Sequence, residues 1–293
     1  MDTDSRRFES FQRGEATANA DQRRTFPRVP SVPAVGLADA DPLAVFFLRS
    51  LRSFAAIIST PVFGGYGNSQ MLKVITFDAG NTLIRLSRPV GVTYAEVAKQ
   101  FGANMNPIDL EHGFRAAWKT APRLPDLPEP RSDDGRTWWR DVVLQTLENA
   151  RVEVEPFDDF FDAVYQEFAL PGVWRLEPGA LELLEDLRSA EFRLGIISNF
   201  DRRLFEILRH VGISDLFEQI VVSSQVGAEK PSPRIFQEAL RRFAVEPAEL
   251  LHVGDDEKAD GAGARALGIQ AFILGLAGSG LRGLRELVGL AAP

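Results

Sequence analysis

From residue 71 onward the chain alternates short apolar runs with amphipathic segments. Five apolar runs predict buried β-strands at Leu72–Phe77, Arg193–Ile197, Gln219–Val222, Leu250–Val253 and Gln270–Leu274. Helical periodicity between the later runs predicts helices at Gly179–Ala190, Arg202–His210, Pro233–Phe243 and Lys258–Leu267. Buried strands that alternate with helices are typical of a parallel sheet with helices on both faces. The predicted fold class is therefore α/β, a doubly wound, Rossmann-like sheet whose ligands bind beyond the carboxyl ends of the strands.

The interval between the first strand and Pro178 breaks this alternation, because its periodicity is helical and it contains no convincing strand. Its helical segments are "TYAEVAKQF", "IDLEHGFRAAWK", "TWWRDVVLQTLENA" and "FDDFFDAVYQEF". The last segment carries an aromatic stripe at helical spacing. We predict a helical bundle inserted after the first strand, with these aromatic side chains as its core. The Pro-rich "TAPRLPDLPEPRSDDG" is predicted to be an exposed loop between two of its helices.

This pattern divides the chain into three parts. Residues 71–88 and 176–293 are expected to form the α/β core, and residues 89–175 the helical cap. Residues 1–70 mix Arg, Asp, Ser and Pro without periodicity, and we expect a disordered N-terminal extension.

The N-terminal extension leaves the compartment open. Its apolar stretch is interrupted by Arg49 and Arg52 and then by Pro and Gly, so we expect no membrane-spanning helix there. The acidic residues among its early arginines argue against a mitochondrial transit peptide, which stays as an alternative. A folded protein that begins at Met71 is another alternative. The cytoplasm is the expected compartment, with the nucleus and the mitochondrion as alternatives.

Composition narrows the function classes further. The chain has 293 residues, a net charge of -8, no cysteine and three histidines. An acidic chain lacks the basic surface that nucleic acids require as partners. Disulfides, thiolate metal sites and cysteine nucleophiles are excluded. Since the histidines occur singly, a metal site built from them is not expected.

Four polar stations fall at or just after predicted strand ends, and their chemistry fits phosphoryl transfer. Asp78 can attack phosphorus and form an aspartyl-phosphate. A magnesium ion held by oxygens of Asp78 and Asp255 would keep nucleophile and phosphate together. Ser198 and the amides around Asn199 can bind phosphate oxygens, and Lys230 supplies a fixed positive charge. Each station alone is also explained by helix capping or a turn.

In sequence the stations read Asp-x-x-x-Thr, Ser-Asn, Lys-Pro and Gly-Asp-x-x-x-x-Asp. This order, with helices inserted between the first two, resembles the four motifs of the haloacid dehalogenase superfamily over approximately residues 71 to 275. The resemblance implies Asp78 as nucleophile and metal ligand, Ser198 and Asn199 at the phosphate, Lys230 orienting both, and Asp255 on Mg²⁺. It implies supporting positions for Thr82, Asp256 and Asp260, with Asp256 either an extra ligand or a solvated neighbour.

One position departs from the family's phosphatases. They carry a second Asp two residues after the nucleophile, which protonates the leaving group and activates water, and here that position is Gly80. The backbone carbonyl of Gly80 can still bind the metal, but the proton shuttle is missing, which typically costs ~10²–10⁴-fold in rate. We hypothesise that a carboxylate of the cap loop substitutes for it. The candidates are Asp126, Glu129, Asp133 and Asp134.

The leading functional prediction is a magnesium-dependent phosphatase-type hydrolase that acts on a small phosphorylated molecule under the cap, with no nucleic acid or membrane as partner. The alternative is a catalytically weak or inactive phosphate-binding protein that acts through a partner. A third candidate is a hydrolase of carbon–halogen or carbon–phosphorus bonds, since relatives with those chemistries also lack the second Asp. The phosphonate version needs a cap lysine, and Lys99 and Lys119 are the only two in that segment.

Overall fold

A computed structural model of the chain describes residues 71–275 and 280–290. Its central feature is a five-stranded sheet in the order β5-β4-β1-β6-β7, in which all neighbouring strands are parallel. The strands are β1 (Val74–Phe77), β4 (Arg193–Ser198), β5 (Gln219–Val222), β6 (Leu250–Gly254) and β7 (Gln270–Ile273). The predicted strands are confirmed to within two residues at each end. The α/β, Rossmann-like fold class is also confirmed.

The middle strand, β1, is buried at every residue because it has a neighbour on each side and helices on both faces. It pairs with β4 along one edge and with β6 along the other. The chain therefore winds outward from β1 through β4 and β5, and then returns to continue on the opposite side. In sheets of this kind the crevice at that reversal lies at the carboxyl ends of the strands, where ligands bind.

Helices surround this sheet and also form an insert. Those of the sheet domain are α5 (Ala180–Ser189), α6 (Arg203–His210), α7 (Ser223–Val226), α8 (Pro233–Phe243), α9 (Gly263–Arg265) and α10 (Leu281–Leu287). Their apolar sides fill one cluster on each face of the sheet. In α8, for example, Ile235, Phe236, Ala239 and Phe243 are buried at the spacing of one helix face.

The helical insert comprises α1 (Val90–Gln100), α2 (Pro107–Thr120), α3 (Arg136–Ala150) and α4 (Phe157–Glu167). It packs around an apolar cluster of its own, in which Tyr94, Leu110, Leu147 and Phe160 are buried. Tyr94 and Phe160 meet edge to face with ring centroids 6.4 Å apart, a favourable geometry for aromatic rings. The aromatic side chains thus serve as core, as the sequence predicts.

The expectation of no strand between β1 and Pro178 is wrong. Two short strands, β2 (Ile84–Leu86) and β3 (Trp174–Leu176), pair antiparallel at the two ends of the insert. Each has only three residues, with an arginine between two apolar side chains. Three residues are too few for a period of two to be distinguished from helical or irregular patterns.

The predicted helix Lys258–Leu267 differs in its winding. Residues Glu257–Ala262 form a wider π-helical turn, in which the Gly261 amide donates to the Asp256 carbonyl oxygen at 3.3 Å, and α9 follows it. Such wide turns are common at functional sites. Asp260 lies within this turn and is buried.

The predictions for residues 1–70 lie outside the described residues. Within the described ranges, no helix is long and apolar enough to cross a membrane.

Candidate active site

A buried lysine joins two of the predicted carboxylates at the carboxyl end of the sheet. Lys230 Nζ donates to Asp78 Oδ1 at 2.7 Å and to Asp260 Oδ1 at 2.6 Å. Asp78 directly follows β1 and its amide donates to the Val253 carbonyl oxygen, so the backbone pairing continues one residue past the strand. Burial by itself would lower the pKa of Lys230, but the charges of Asp78 and Asp260 raise it overall. The lysine is therefore a permanent ammonium ion.

Behind Asp260 lies a buried histidine, His252. His252 Nε2 is 3.0 Å from Asp260 Oδ1, and His252 Nδ1 is 3.0 Å from Thr76 Oγ1. Burial lowers the pKa of His252, so the ring is neutral. The hydrogen-bond pattern then assigns the proton to Nε2, which donates to Asp260, while Nδ1 accepts from the Thr76 hydroxyl. A continuous buried network thus runs from Thr76 to Asp78.

Asp255 adds a third carboxylate to this cluster, so the cluster carries more negative than positive charge. Asp78, Asp255 and Asp260 each place an oxygen within 4.8 Å of the others, and Lys230 is the ammonium that bridges two of them. Burial, followed by repulsion from Asp78 and Asp260, raises the pKa of Asp255 to about 6. Three carboxylates with one ammonium have a net charge that a divalent cation would balance. Hard oxygen ligands are those that Mg²⁺ prefers, so the donor set fits this ion.

The predicted phosphate-binding residues end the neighbouring strand. Ser198 is the last residue of β4 and is buried beside β1. The Asn199 side chain holds the lysine loop: its Nδ2 donates to the Lys230 carbonyl oxygen at 3.0 Å, and its Oδ1 accepts from the Lys230 amide at 2.6 Å. The Asn199 side chain is therefore occupied in positioning Lys230, whereas its backbone amide stays the candidate for phosphate.

Gly80 has room for a side chain. A Cβ added there would meet no atom within 4 Å among the described residues. Gly80 also lacks the positive φ that would restrict the position to glycine. Neither crowding nor backbone conformation therefore explains why this position lacks the aspartate of the phosphatases.

Two of the predicted supporting residues have other surroundings. Asp256 Oδ1 accepts from the amides of Lys258 and Ala259, so this carboxylate caps the helical turn that contains Asp260. Thr82 is buried, and its hydroxyl has no hydrogen-bond partner within the described residues. Thr82 lines a separate cavity together with Glu177. Only Asp260, of the three, contacts Lys230.

The Pro-rich loop of the insert, residues 121–135, is exposed over most of its length but is attached to the sheet domain. The Leu127 amide donates to the Gly227 carbonyl oxygen at 2.7 Å, and the Arg131 amide to that of Ser224 at 2.8 Å. Arg131 is buried. The prediction of an exposed loop is therefore right for most of the segment and misses its attachment to the core.

Three of the four loop carboxylates proposed as substitute acids have structural hydrogen bonds. Asp126 accepts from the Ser232 hydroxyl, Asp133 from two amides at the start of α3, and Asp134 from the Arg202 amide. A hydrogen bond from Thr137 is the largest cause that lowers the pKa of Asp133, which makes it a poorer proton donor. Their role as a substitute acid stays a prediction.

A charged cluster joins the helical insert to the loop after β4. Asp201 is buried and accepts from Arg203 Nη2 at 2.6 Å and from the indole Nε1 of Trp139 at 3.1 Å. The Arg203 guanidinium lies 3.6 Å from the ring centroid of Tyr165, within the range of cation–π attraction. Because Trp139 and Tyr165 belong to the insert, this cluster holds the insert against the sheet domain.

A cavity of about 290 Å³ lies between the insert and the sheet domain, next to the lysine. The residues that define its character are Trp118, Trp138, Trp139, Arg123, Arg131 and Lys230. Ligand pockets have volumes of about 300–1,000 Å³, so this one is at the lower end and suits a small molecule.

The model of the haloacid dehalogenase-like hydrolase family matches residues 72–268 of the chain. The chain belongs to the haloacid dehalogenase-like hydrolase family. It is 39% identical over 205 residues to haloacid dehalogenase-like hydrolase domain-containing protein 3 of Mus musculus, which covers 69% of this chain and 82% of the mouse protein. It is 31% identical to the rhythmically expressed gene 2 protein of Drosophila melanogaster, over 67% of this chain and 80% of that protein.

Solved structures agree on the haloacid dehalogenase-like fold. The putative hydrolase YfnB from Bacillus subtilis, bound to magnesium, matches with a TM-score of 0.57 at 17% identity, over 75% of this chain and 100% of YfnB. A phosphatase of the same superfamily from Thermococcus onnurineus matches with a TM-score of 0.53 at 20% identity, over 74% of this chain and 98% of that structure. At these identities the likeness establishes the fold alone.

Sequence reasoning missed several residues of this haloacid dehalogenase-like site. His252 gave little signal, because a lone histidine in an apolar strand is more often core than function. Glu229, Arg123 and Arg131 line the cavity, but the two arginines belong to a loop with no periodicity. Glu229 directly precedes Lys230 in the "EKP" motif, and that position was the available signal.

Proposed function

We propose that this protein is a magnesium-dependent hydrolase of a small phosphorylated molecule, which acts through an aspartyl-phosphate on Asp78. The main support for this proposal is the cluster of Asp78, Asp255 and Asp260 around the buried Lys230. This cluster lies at the carboxyl end of a parallel sheet and next to a small cavity. Magnesium, when bound, would supply the charge that lets an anionic nucleophile approach an anionic phosphate. Asp78 and Asp255 would hold it, with the Gly80 carbonyl as a further ligand.

In the proposed reaction the Asp78 carboxylate attacks phosphorus, the bond from phosphorus to the leaving-group oxygen breaks, and the leaving group departs with that electron pair as an oxyanion. Water then hydrolyses the acyl phosphate to inorganic phosphate and restores the Asp78 carboxylate. The roles of the neighbouring residues follow from their contacts. Lys230 holds Asp78 in one orientation and places positive charge where the phosphoryl oxygens gain negative charge. Asp260 and the Asn199 side chain position Lys230, from its ammonium and its backbone respectively. Ser198 and the Asn199 amide would bind phosphoryl oxygens.

We further propose that the helical insert acts as a cap over the site. Its loop is attached to the sheet domain near Ser224 and Gly227, and Trp139 bonds to Asp201. These contacts close one side of the cavity. A cap in this position would exclude water and select the substrate.

Gly80 favours the second candidate, a phosphate-binding protein with weak or no activity. No carboxylate stands two residues after Asp78 to protonate the leaving group. Substrates whose leaving groups need no protonation would then react fastest, since only they lose little without a general acid. We place this candidate second because the remaining charged groups of the cluster are all present.

The test is phosphate release by the full chain from p-nitrophenyl phosphate and from phenyl phosphate, with magnesium or with EDTA. We expect magnesium-dependent release that is lost in Asp78→Asn. Gly80→Asp has space for its side chain and should raise turnover of phenyl phosphate, the poorer leaving group, by at least ~10-fold. Arg115→Gln, an exposed change in the insert, serves as the control.

The outcomes separate the two candidates. Wild-type release that depends on Asp78 and magnesium supports the enzyme. If wild type and Gly80→Asp are both inactive while inorganic phosphate binds to the site, the non-enzymatic candidate is correct. Release that persists in Asp78→Asn would refute the proposed nucleophile.

A further inference from the structure

The cavity between the insert and the sheet domain contains a buried cation without a carboxylate partner. Arg131 is 7% exposed. Its charge acts on the Glu229 carboxyl of the same cavity, but among the described residues Arg131 forms no salt bridge within 4 Å. Its Nη2 donates to the Pro125 carbonyl oxygen at 2.7 Å, while its Nε has no partner. A buried charge normally has a counter-charge, because removing it from water is costly. Arg131 is thus equipped for an anion from outside the chain.

A second unsatisfied polar group lies in the same wall. The Ser224 side chain is buried, and its Oγ has no hydrogen-bond partner among the described residues. Ser224 and Arg131 are adjacent, since the Arg131 amide donates to the Ser224 carbonyl oxygen at 2.8 Å. An unsatisfied buried hydroxyl destabilises the protein. Two residues joined through their backbones in one cavity wall thus each carry a polar side-chain atom without a partner among the described residues.

The other charges of the wall compensate Arg131 only in part. Arg123 donates to the Lys230 carbonyl oxygen, so it too is bonded to a neutral group. Asp201 is bonded to Arg203, and Asp256 caps a helical turn. Asp134, a further wall carboxylate, accepts from the Arg202 amide. The fourth, Glu229, is influenced by the charges of both arginines, but burial raises its pKa overall. The arginines therefore stay only partly compensated.

Three tryptophans also line this cavity. The indoles of Trp138 and Trp139 have centroids 5.0 Å apart, and that of Trp118 is 5.8 Å from Trp139. Indole rings supply large, rigid, apolar contact surfaces. The cavity lining therefore offers apolar surface for a planar group as well as positive charge for an anion.

From these contacts we propose that the cavity binds the leaving group of the phosphorylated substrate, and that this leaving group carries a second anionic group, a carboxylate or a phosphate. Arg131 and Ser224 bind that anion, and the three tryptophans contact an apolar or planar part. The inference rests on the proposed function for the position of the reacting phosphate, but the binding of the anion can be measured without turnover.

The catalytic test compares two substrates of the same shape, 4-carboxyphenyl phosphate and 4-carbamoylphenyl phosphate. We expect wild type to prefer the carboxylate in kcat/KM by about tenfold, the worth of one charged hydrogen bond. Arg131→Gln and Ser224→Ala should each reduce this preference, whereas Arg115→Gln, an exposed change in the insert, should not. A third substrate, 1,4-phenylene bisphosphate, tells carboxylate from phosphate by which is preferred.

Binding without chemistry is followed through the tryptophans, three of which line the cavity. We expect 4-hydroxybenzoate to change their fluorescence saturably, and 4-hydroxybenzamide to bind about tenfold more weakly. Ser224→Ala should weaken hydroxybenzoate binding without lowering the midpoint of thermal unfolding, because it removes an unsatisfied hydroxyl. A purely structural role of Ser224 would not give that combination. Arg131→Lys replaces Arg131→Gln if the latter does not fold.

Three results decide between the two proposals. Equal hydrolysis and equal binding of the carboxylate and the amide would overturn the anion site and leave the proposed function intact. Selective hydroxybenzoate binding without hydrolysis of any aryl phosphate would support the anion site and count against the proposed function. Absence of saturable binding by either probe would overturn the anion site.

Discussion

Replacing Lys230 with Met is expected to destabilise the protein strongly. Lys230 is 2% exposed and bonds Asp78 and Asp260 at 2.7 and 2.6 Å. Its removal leaves two carboxylates close together, one of them buried, with no ammonium between them. Breaking a buried ion pair from one side costs about 3–5 kcal/mol. For a folded region of this size, that lowers the unfolding midpoint by about 6–20 °C.

The assay is thermal and urea unfolding followed by circular dichroism, in EDTA and at neutral pH. Lys99→Met is the matched control, because Lys99 is exposed on α1, and we expect it to change the free energy of unfolding by less than about 0.5 kcal/mol. The double variant Lys230→Met with Asp260→Asn removes one anion as well. The decrease in the free energy of unfolding of the double variant should be smaller than the sum of the decreases in the two single variants by at least about 1 kcal/mol.

Two results would refute this reasoning. A loss of less than about 1 kcal/mol in Lys230→Met would mean that the carboxylates are not held by the lysine. Strict additivity in the double variant would mean that Lys230 and Asp260 are not coupled.

Three further predictions concern the surroundings of the site. His252→Asn should reduce kcat about 10–100-fold with little change in KM, because Asp260, which positions Lys230, would lose its hydrogen bond from His252. Steady-state kinetics in which kcat stays within twofold of wild type would contradict this. Gly227→Ala places a Cβ 2.2 Å from the Glu129 carbonyl oxygen, whereas Gly102→Ala, also at positive φ, meets no atom within 4 Å. Limited proteolysis should therefore cut loop 121–135 faster in Gly227→Ala only. Burial raises the pKa of Glu229 above its ordinary value of 4.5, so the folded state holds this proton more tightly than the unfolded state does. The contribution of Glu229 to stability therefore falls as the pH rises above that ordinary value. In urea unfolding over a series of rising pH values, Glu229→Gln should gain stability relative to wild type, and a constant difference would contradict this.

Most of the sheet could be predicted because each long element carries its own repeat. β1 and β6 are buried on both faces and appear as continuous apolar runs, while α8 shows the helical period. The strands β2 and β3 could not be predicted, because three residues carry no repeat. What holds them is their pairing with each other across more than eighty intervening residues.

The site divides in the same way. Asp78 and Asp255 each follow a strand, and in a parallel sheet the carboxyl ends of the strands lie at one edge. Their positions in the sequence were therefore enough to predict that they lie close together. The order of the four motifs along the chain also indicated that these residues belong to one site. Gly80 was visible as the missing acid, but only the structure shows that the position has room for one.

By itself, the sequence determined the fold class, the helical insert and the carboxylates at the strand ends, because local periodicity and chain order encode them. The tertiary structure decided which neutral and charged neighbours these residues have. His252 meets Asp260, eight residues later, through the wide turn that follows β6. Arg131 beside Ser224 in the cavity wall is a contact between segments far apart in the chain. Such contacts depend on how the insert packs against the sheet, and no short-range pattern specifies that.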